Sequence, residues 1–260
     1  MKCVYIILTL IVSLPFLVQA AEITDGLVLY TPLDEGSGKK IEDLSNTKAK
    51  GELKGGKWVD GKFGKALQFK ASTEHVLVPD NKAFHIEGTL TQAAWIWLDR
   101  LPSAHAIVFG TRGGGGRAIG FGYGMNPGNG LKVWTNGKGG GFKDINDNKT
   151  KLKVGQWYYV AYTHTTANGG LVRIFVNGTA THEEESKNPV LPAGKTGAVQ
   201  IGTWGGEAWP GAVDEVRLWN RALNDAEIKF SMQLGAKEFA TPVEPKNKLA
   251  VTWSQVKSGW

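Results

Sequence analysis

Cysteine is almost absent: the 260 residues contain one, Cys3, in the segment that opens the chain. Met1-Lys2-Cys3 leads into an apolar run from Val4 to Val18 ending Val18-Gln19-Ala20, which has the charge, length and small-residue ending of a secretory signal peptide over residues 1–20. Its removal would leave a chain without thiols. Disulfides and a cysteine nucleophile are then excluded, and the fold has to rest on an apolar core. The run is shorter than the ~20 residues a membrane-spanning helix needs, and no other stretch is long enough, so no membrane span is expected in the mature chain. The expected location is secreted, extracellular or periplasmic. Strong charge of one sign is also lacking. The formal net charge is +6, the lysines are scattered, and no basic stripe is interleaved with aromatics, so nucleic acid is not an expected partner. An anionic glycan or envelope surface stays compatible. The five histidines, His75, His85, His105, His164 and His182, show no metal-ligand spacing. No Glu-x-Asp-x-Glu strand supplies the close pair of acids that a retaining glycosidase needs.

What the sequence has in abundance is glycine, 35 residues of it, punctuating short apolar segments. Residues 27–30, 66–69, 76–78, 93–98, 106–109, 119–123, 131–134, 157–163, 171–176, 199–201 and 213–219 read as strands, with almost no helical periodicity between them. Such a pattern predicts an all-β protein built as an antiparallel β-sandwich. Asn177-Gly178 predicts a two-residue hairpin turn, since both central positions of a type I′ turn need positive φ. Trp95, Trp97, Trp157 and Trp219 lie on strand periods and read as core. Val213, Val216, Leu218 and Trp219 form a closing strand that carries an acidic pair, Asp214 and Glu215, and buried carboxylates require a cation or hydrogen-bond donors. Asn224 with Glu227 three residues on predicts one short, capped helix near the C-terminus. From residue 236 to 260 the composition shifts to proline and lysine, which reads as a tail. Leu249, Val251 and Trp253 in it share one face of a possible docked strand.

Gly211 to Ile228 resembles the closing strand and helix of the laminin-G-like and pentraxin-like modules in the concanavalin A-like lectin and glucanase group. Gly26 to Gly38 is similar to the first strand and turn of that group, and Gly61 to Phe69 to the next. Gly155 to Thr163 with Val172 to Gly178 resembles its central hairpin. The resemblance implies a concanavalin A-like jelly roll over residues 21–235. It also implies a structural Ca²⁺: Asp43-Leu44-Ser45-Asn46 is similar to the group's Asp-x-Ser-Gly-Asn turn, without its glycine, so Asp43, Asn46 and Asp214 are the expected metal ligands. The alternative is a carboxylate that accepts backbone N–H bonds within a tight turn. The pentraxin mode of calcium binding is not expected, because the loop between Ile201 and Val213 holds one carboxylate, Glu207.

That loop is the expected ligand site. Trp204 and Trp209 flank Glu207 in a glycine-rich segment, where an indole face stacks on a sugar and a carboxylate accepts its hydroxyls. One of the two indoles is expected to be structural and the other exposed. Arg112, in Arg-Gly-Gly-Gly-Gly-Arg, and Trp134, before the run Gly137 to Gly141, are expected to line the same rim. The functional reading is a secreted, non-catalytic module that binds extracellular or cell-surface carbohydrate. Its rivals are an adhesion module with an extracellular protein partner and a polysaccharide hydrolase or lyase.

Overall fold

The computed structural model describes residues 23–111, 121–127, 130–136, 142–166, 170–185, 198–204 and 207–240. The leader, Arg112, both glycine runs and the segment 241–260 with Trp253 lie outside these residues.

Two antiparallel sheets face one another. The first runs, in spatial order, Thr179–Glu185, Leu171–Val176, Trp157–Thr165, Leu90–Leu98, Gly211–Trp219, Lys65–Phe69 and Lys57–Asp60, and Leu27–Thr31 also pairs with Gly211–Trp219. The second runs Phe142–Asp147, Leu131–Asn136, Phe121–Met125, Ala106–Thr111, Val199–Ile201, His75–Val78, Gly51–Lys54 and Lys40–Ile41. This is the jelly-roll sandwich. Alternate residues of the two sheets, among them Leu90, Ile96, Val160, Ile174, Val108 and Val133, meet in one buried cluster between the layers. The hairpin turn forms as its dipeptide predicts, with φ of 49° at Asn177 and 78° at Gly178.

A second buried cluster covers much of the outer face of the first sheet. Trp95, Tyr159, Phe175 and Trp219 pack there against Ile228 and Phe230 of helix Asp225–Ser231 and against Leu234. The helix starts on a full capping box: the Asn224 side chain accepts from the Ala226 and Glu227 amides, and Glu227 Oε2 accepts from the Asn224 amide at 2.8 Å. The C-terminal boundary differs from the expected start of a tail. Ala236–Ala240 is a further helical turn, and Phe239 packs on Tyr30 with ring centroids 4.6 Å apart.

The closing strand explains how two adjacent acids are buried together. In a regular strand one of Asp214 and Glu215 would enter the intersheet core. A bulge prevents this: the register against Leu90–Leu98 shifts between Asp214 and Arg217, Glu215 has φ of 57°, and Val213 and Val216 both face the intersheet core. Both acids therefore face the outer side.

Candidate functional site

The expected calcium ligands are not brought together. Asp43 is buried and its carboxylate is already fully engaged. Oδ1 accepts from the Tyr30 and Ser45 amides at 2.9 and 2.8 Å, and Oδ2 accepts from the Ser45 hydroxyl and the Ala49 amide, each at 2.9 Å. The Tyr30 carbonyl accepts from the Leu44 amide as well, so this turn flanks the edge of Leu27–Thr31 that faces away from the closing strand. Two strand spacings, about 9–10 Å, separate it from that strand, too far for oxygens that must each approach one cation to about 2.3–2.6 Å. Asn46 is exposed on the same turn. Among the described residues, no group of three or more His, Cys, Asp or Glu is arranged to hold a metal ion. The turn is held by an N–H-accepting carboxylate, and Asp43, Asn46 and Asp214 do not form one cation site.

Asp214 instead anchors the loop before Lys65–Phe69. Its Oδ2 accepts from the Lys62 and Phe63 amides at 2.8 and 3.0 Å, while Oδ1 has no partner among the described residues. Burial, reinforced by the neighbouring Glu215 charge, pushes its carboxyl up to about 9, so it holds a proton at neutral pH. Because this folded-state value lies above that of an unfolded Asp, the group's contribution is complete below about pH 4 and is lost as pH rises through about 9. Asp214→Asn, which keeps the acceptor and cannot ionise, is expected to stay within about 1 kcal/mol of the parent at pH 5 and to gain on it as pH rises. Urea unfolding at pH 5, 7 and 9 measures this. A variant that instead loses stability relative to the parent as pH rises would show an ionised Asp214.

The loop expected to bind ligand carries two short antiparallel strands, Thr203–Trp204 and Glu207–Ala208. Thr203 pairs with Ala208 and Trp204 lies directly opposite Glu207; the side chains of Trp204 and Glu207 are outside the described set. Trp209 is fully buried in the intersheet core, and its indole N–H donates to the Trp97 carbonyl at 3.1 Å. It is the structural indole of the pair and cannot meet a ligand. Trp134 is a second correction. It is 3% exposed and lies over Gly122, its cross-strand partner, where any added Cβ would collide with the indole. A glycine that leaves a hole in the sheet is filled by the facing aromatic.

Two other indoles are more accessible. Trp97 and Trp157 are direct cross-strand partners on the outer face of the first sheet, half-buried, with ring centroids 5.9 Å apart and planes inclined by 57°. They share that face with Trp95, which is covered by the loop above it: Phe63 meets Trp95 edge-on at 6.3 Å and Lys62 Nζ lies 4.7 Å from its ring centre. Trp97 and Trp157 are only half-buried, Trp157 packing against that outer cluster from its side, which corrects their reading as core. Beside them is a fixed carboxylate. Asp99 Oδ1 accepts from the Trp97 indole N–H at 3.2 Å, Asp99 Oδ2 from Gln68 Nε2 at 2.7 Å, and the Asp99 amide donates to the Pro210 carbonyl at 2.9 Å. Asp99 is exposed and Gln68 half-buried. A pair of inclined aromatic faces with a tethered acceptor at their edge is suited to a ligand with apolar C–H faces and outward hydroxyls. The loop from Trp204 to Trp209 adjoins this face, since both Trp209 and Pro210 bond to the 97–99 backbone.

Residues 70–229 match a laminin G family of the concanavalin A-like lectin/glucanases superfamily, and the chain belongs to that family. Solved structures agree on the fold. The binding domain of Paraclostridial Mosquitocidal Protein 1 is 17% identical with a TM-score of 0.63, over 81% of this chain and 52% of that one. Domain 4 of AbnA, a GH43 extracellular arabinanase from Geobacillus stearothermophilus in complex with arabinotriose, is 19% identical with a TM-score of 0.62, over 80% of this chain and 98% of that one. The ligand binding domain of botulinum neurotoxin serotype D in complex with N-acetylneuraminic acid is 11% identical with a TM-score of 0.65, over 82% and 52%. The chain thus spans about half the length of the toxin domains and nearly all of the arabinanase domain. No curated protein matches the sequence.

Proposed function

We propose that this is a secreted, non-catalytic recognition module that binds extracellular carbohydrate. The observation that carries the reading is the Trp97–Trp157 pair, two half-buried indoles on a sheet face beside the tethered Asp99 carboxylate. Membership of a lectin and glucanase superfamily, and neighbours seen with arabinotriose and with N-acetylneuraminic acid, support it. The acids Asp214 and Glu215 each give one oxygen to structural bonds and are wholly buried, out of reach of a substrate.

A glycan array run in calcium and in chelator tests the function, with reducing-end and unsaturated-product assays alongside it. Binding without turnover is expected, equal in the two conditions. Loss of one stacking indole typically costs about 2 kcal/mol, or about thirtyfold in Kd. Trp97→Ala and Trp157→Ala should each weaken binding by that order and retain the parent circular dichroism. Normal binding by both variants would move the site elsewhere. Turnover would replace the module with an enzyme.

A further inference from the structure

Asp99 carries more information than an acid at the rim of an aromatic face. Both of its oxygens are already oriented by protein donors, one by the Trp97 indole N–H and one by Gln68 Nε2, and its main-chain amide is held by Pro210. A carboxylate oxygen has room for about two hydrogen bonds. Each oxygen of Asp99 therefore keeps one acceptor direction, and the side chain is exposed. Two acceptors on one planar group, fixed in advance, match two donors on neighbouring atoms of a ligand. Prior orientation also removes the ordering cost that an untethered surface aspartate would bear on binding.

We infer that Asp99 is the specificity-determining residue of this face, and that it selects sugars presenting two free hydroxyls on adjacent carbons while their C–H surface rests on Trp97 and Trp157. This rests on the carbohydrate reading above and adds the class of sugar. Gln68 acts as a positioning residue, since the contact by which it would act runs through Asp99 Oδ2. A group that blocks either hydroxyl removes a donor and leaves a carboxylate oxygen facing an apolar substituent, the costly case for a charged acceptor.

The test uses the full chain with arabino-oligosaccharides and xylo-oligosaccharides, each free and with its secondary hydroxyls O-acetylated. The parent protein is expected to prefer the free sugars by at least about tenfold. Asp99→Asn keeps an oxygen for the Trp97 indole but replaces one acceptor by a donor. It should bind the free sugars on the order of tenfold more weakly, and its preference over the acetylated forms should collapse toward unity. Gln68→Ala should give a smaller loss in the same direction. If Asp99→Asn keeps the parent preference while Trp97→Ala still loses binding, the face is a carbohydrate site and the assignment of Asp99 is overturned. If Trp97→Ala and Trp157→Ala both bind normally, the carbohydrate reading of the face has itself failed.

Discussion

Replacing Arg217 with alanine is expected to destabilise the protein by about 3–5 kcal/mol, the range seen when one partner of a buried ion pair is removed. Arg217 and Glu215 are both wholly buried and paired through Arg217 Nη2 and Glu215 Oε2. The Tyr30 hydroxyl donates to the same carboxylate oxygen at 2.6 Å. The guanidinium also donates from Nη1 to the Ser231 carbonyl at 2.7 Å and from Nη2 to the Leu234 carbonyl, so it closes the C-terminal end of helix Asp225–Ser231 and the turn after it. Its central carbon Cζ lies 4.6 Å from the Tyr30 ring centre and 4.7 Å from that of Phe239, beside two rings that also touch each other. Truncation would leave a buried carboxylate, two carbonyls each short of one donor, and a cavity beside the Tyr30 and Phe239 rings. The pair itself is a different quantity: replacing Arg217 and Glu215 together by methionine exchanges desolvated charge for packing and is expected to recover most of the loss. Urea unfolding of the two single variants and the double variant gives the coupling. A single variant within 1 kcal/mol of the parent would show that the C-terminal segment is held by its apolar contacts alone.

Local chemistry made parts of this architecture legible in the sequence. Asn177-Gly178 and the Asn224/Glu227 box are each satisfied by neighbours in the chain, and both form as read. The need of the acidic pair for donors was also legible, but not the donors. Glu215-Val216-Arg217 places a cation two residues from an acid, and the bulge that turns both acids outward shows in the sequence only as a break in the alternation between Val213 and Val216. Strands without a sequence signature include Lys40–Ile41, Gly51–Lys54, Lys57–Asp60 and Phe142–Asp147, at or beside sheet edges where polar residues erase the alternation, and the two-residue strands Thr203–Trp204 and Glu207–Ala208. The exposure of the Trp97–Trp157 face was hidden for a related reason. Alternation assigns Trp95 and Trp97 to one face but cannot say whether that face is covered. The cover over Trp95 comes from residues 62–63, far away in the chain, and it stops short of Trp97. Trp209 and Trp134 depart from expectation in the opposite direction: glycine-rich surroundings suggest exposed loops, whereas Trp134 packs over the glycine it faces.

Acid is expected to cost the fold about 3 kcal/mol through His164 alone. His164 lies on Trp157–Thr165 between Leu90 and Val172, on the face turned to the intersheet core, and no described residue bonds either ring nitrogen. Burial lowers its pKa from 6.5 to about 4. The folded protein therefore binds this proton less well than the unfolded chain, where the ring keeps its ordinary value near 6.5. Between about pH 6.5 and 4 the unfolded state carries the extra proton, so stability falls as pH falls through that window and this group adds nothing further below it. At about 1.36 kcal/mol per pKa unit the shift corresponds to about 3 kcal/mol. Asp214 acts with the opposite sign over about pH 4 to 9, a window that contains that of the histidine, so the two are separated by variant and not by pH. Urea unfolding of the parent and of His164→Leu at pH 7.5, 5.5 and 4.5 isolates the histidine. The leucine variant should be no less stable at pH 7.5, since it replaces two unbonded nitrogens with apolar volume, and should hold an increasing advantage as the buffer becomes acidic. Parallel stability profiles for the two proteins would mean that the ring is solvated or bonded in the native state, and that its position between the sheets costs nothing on protonation.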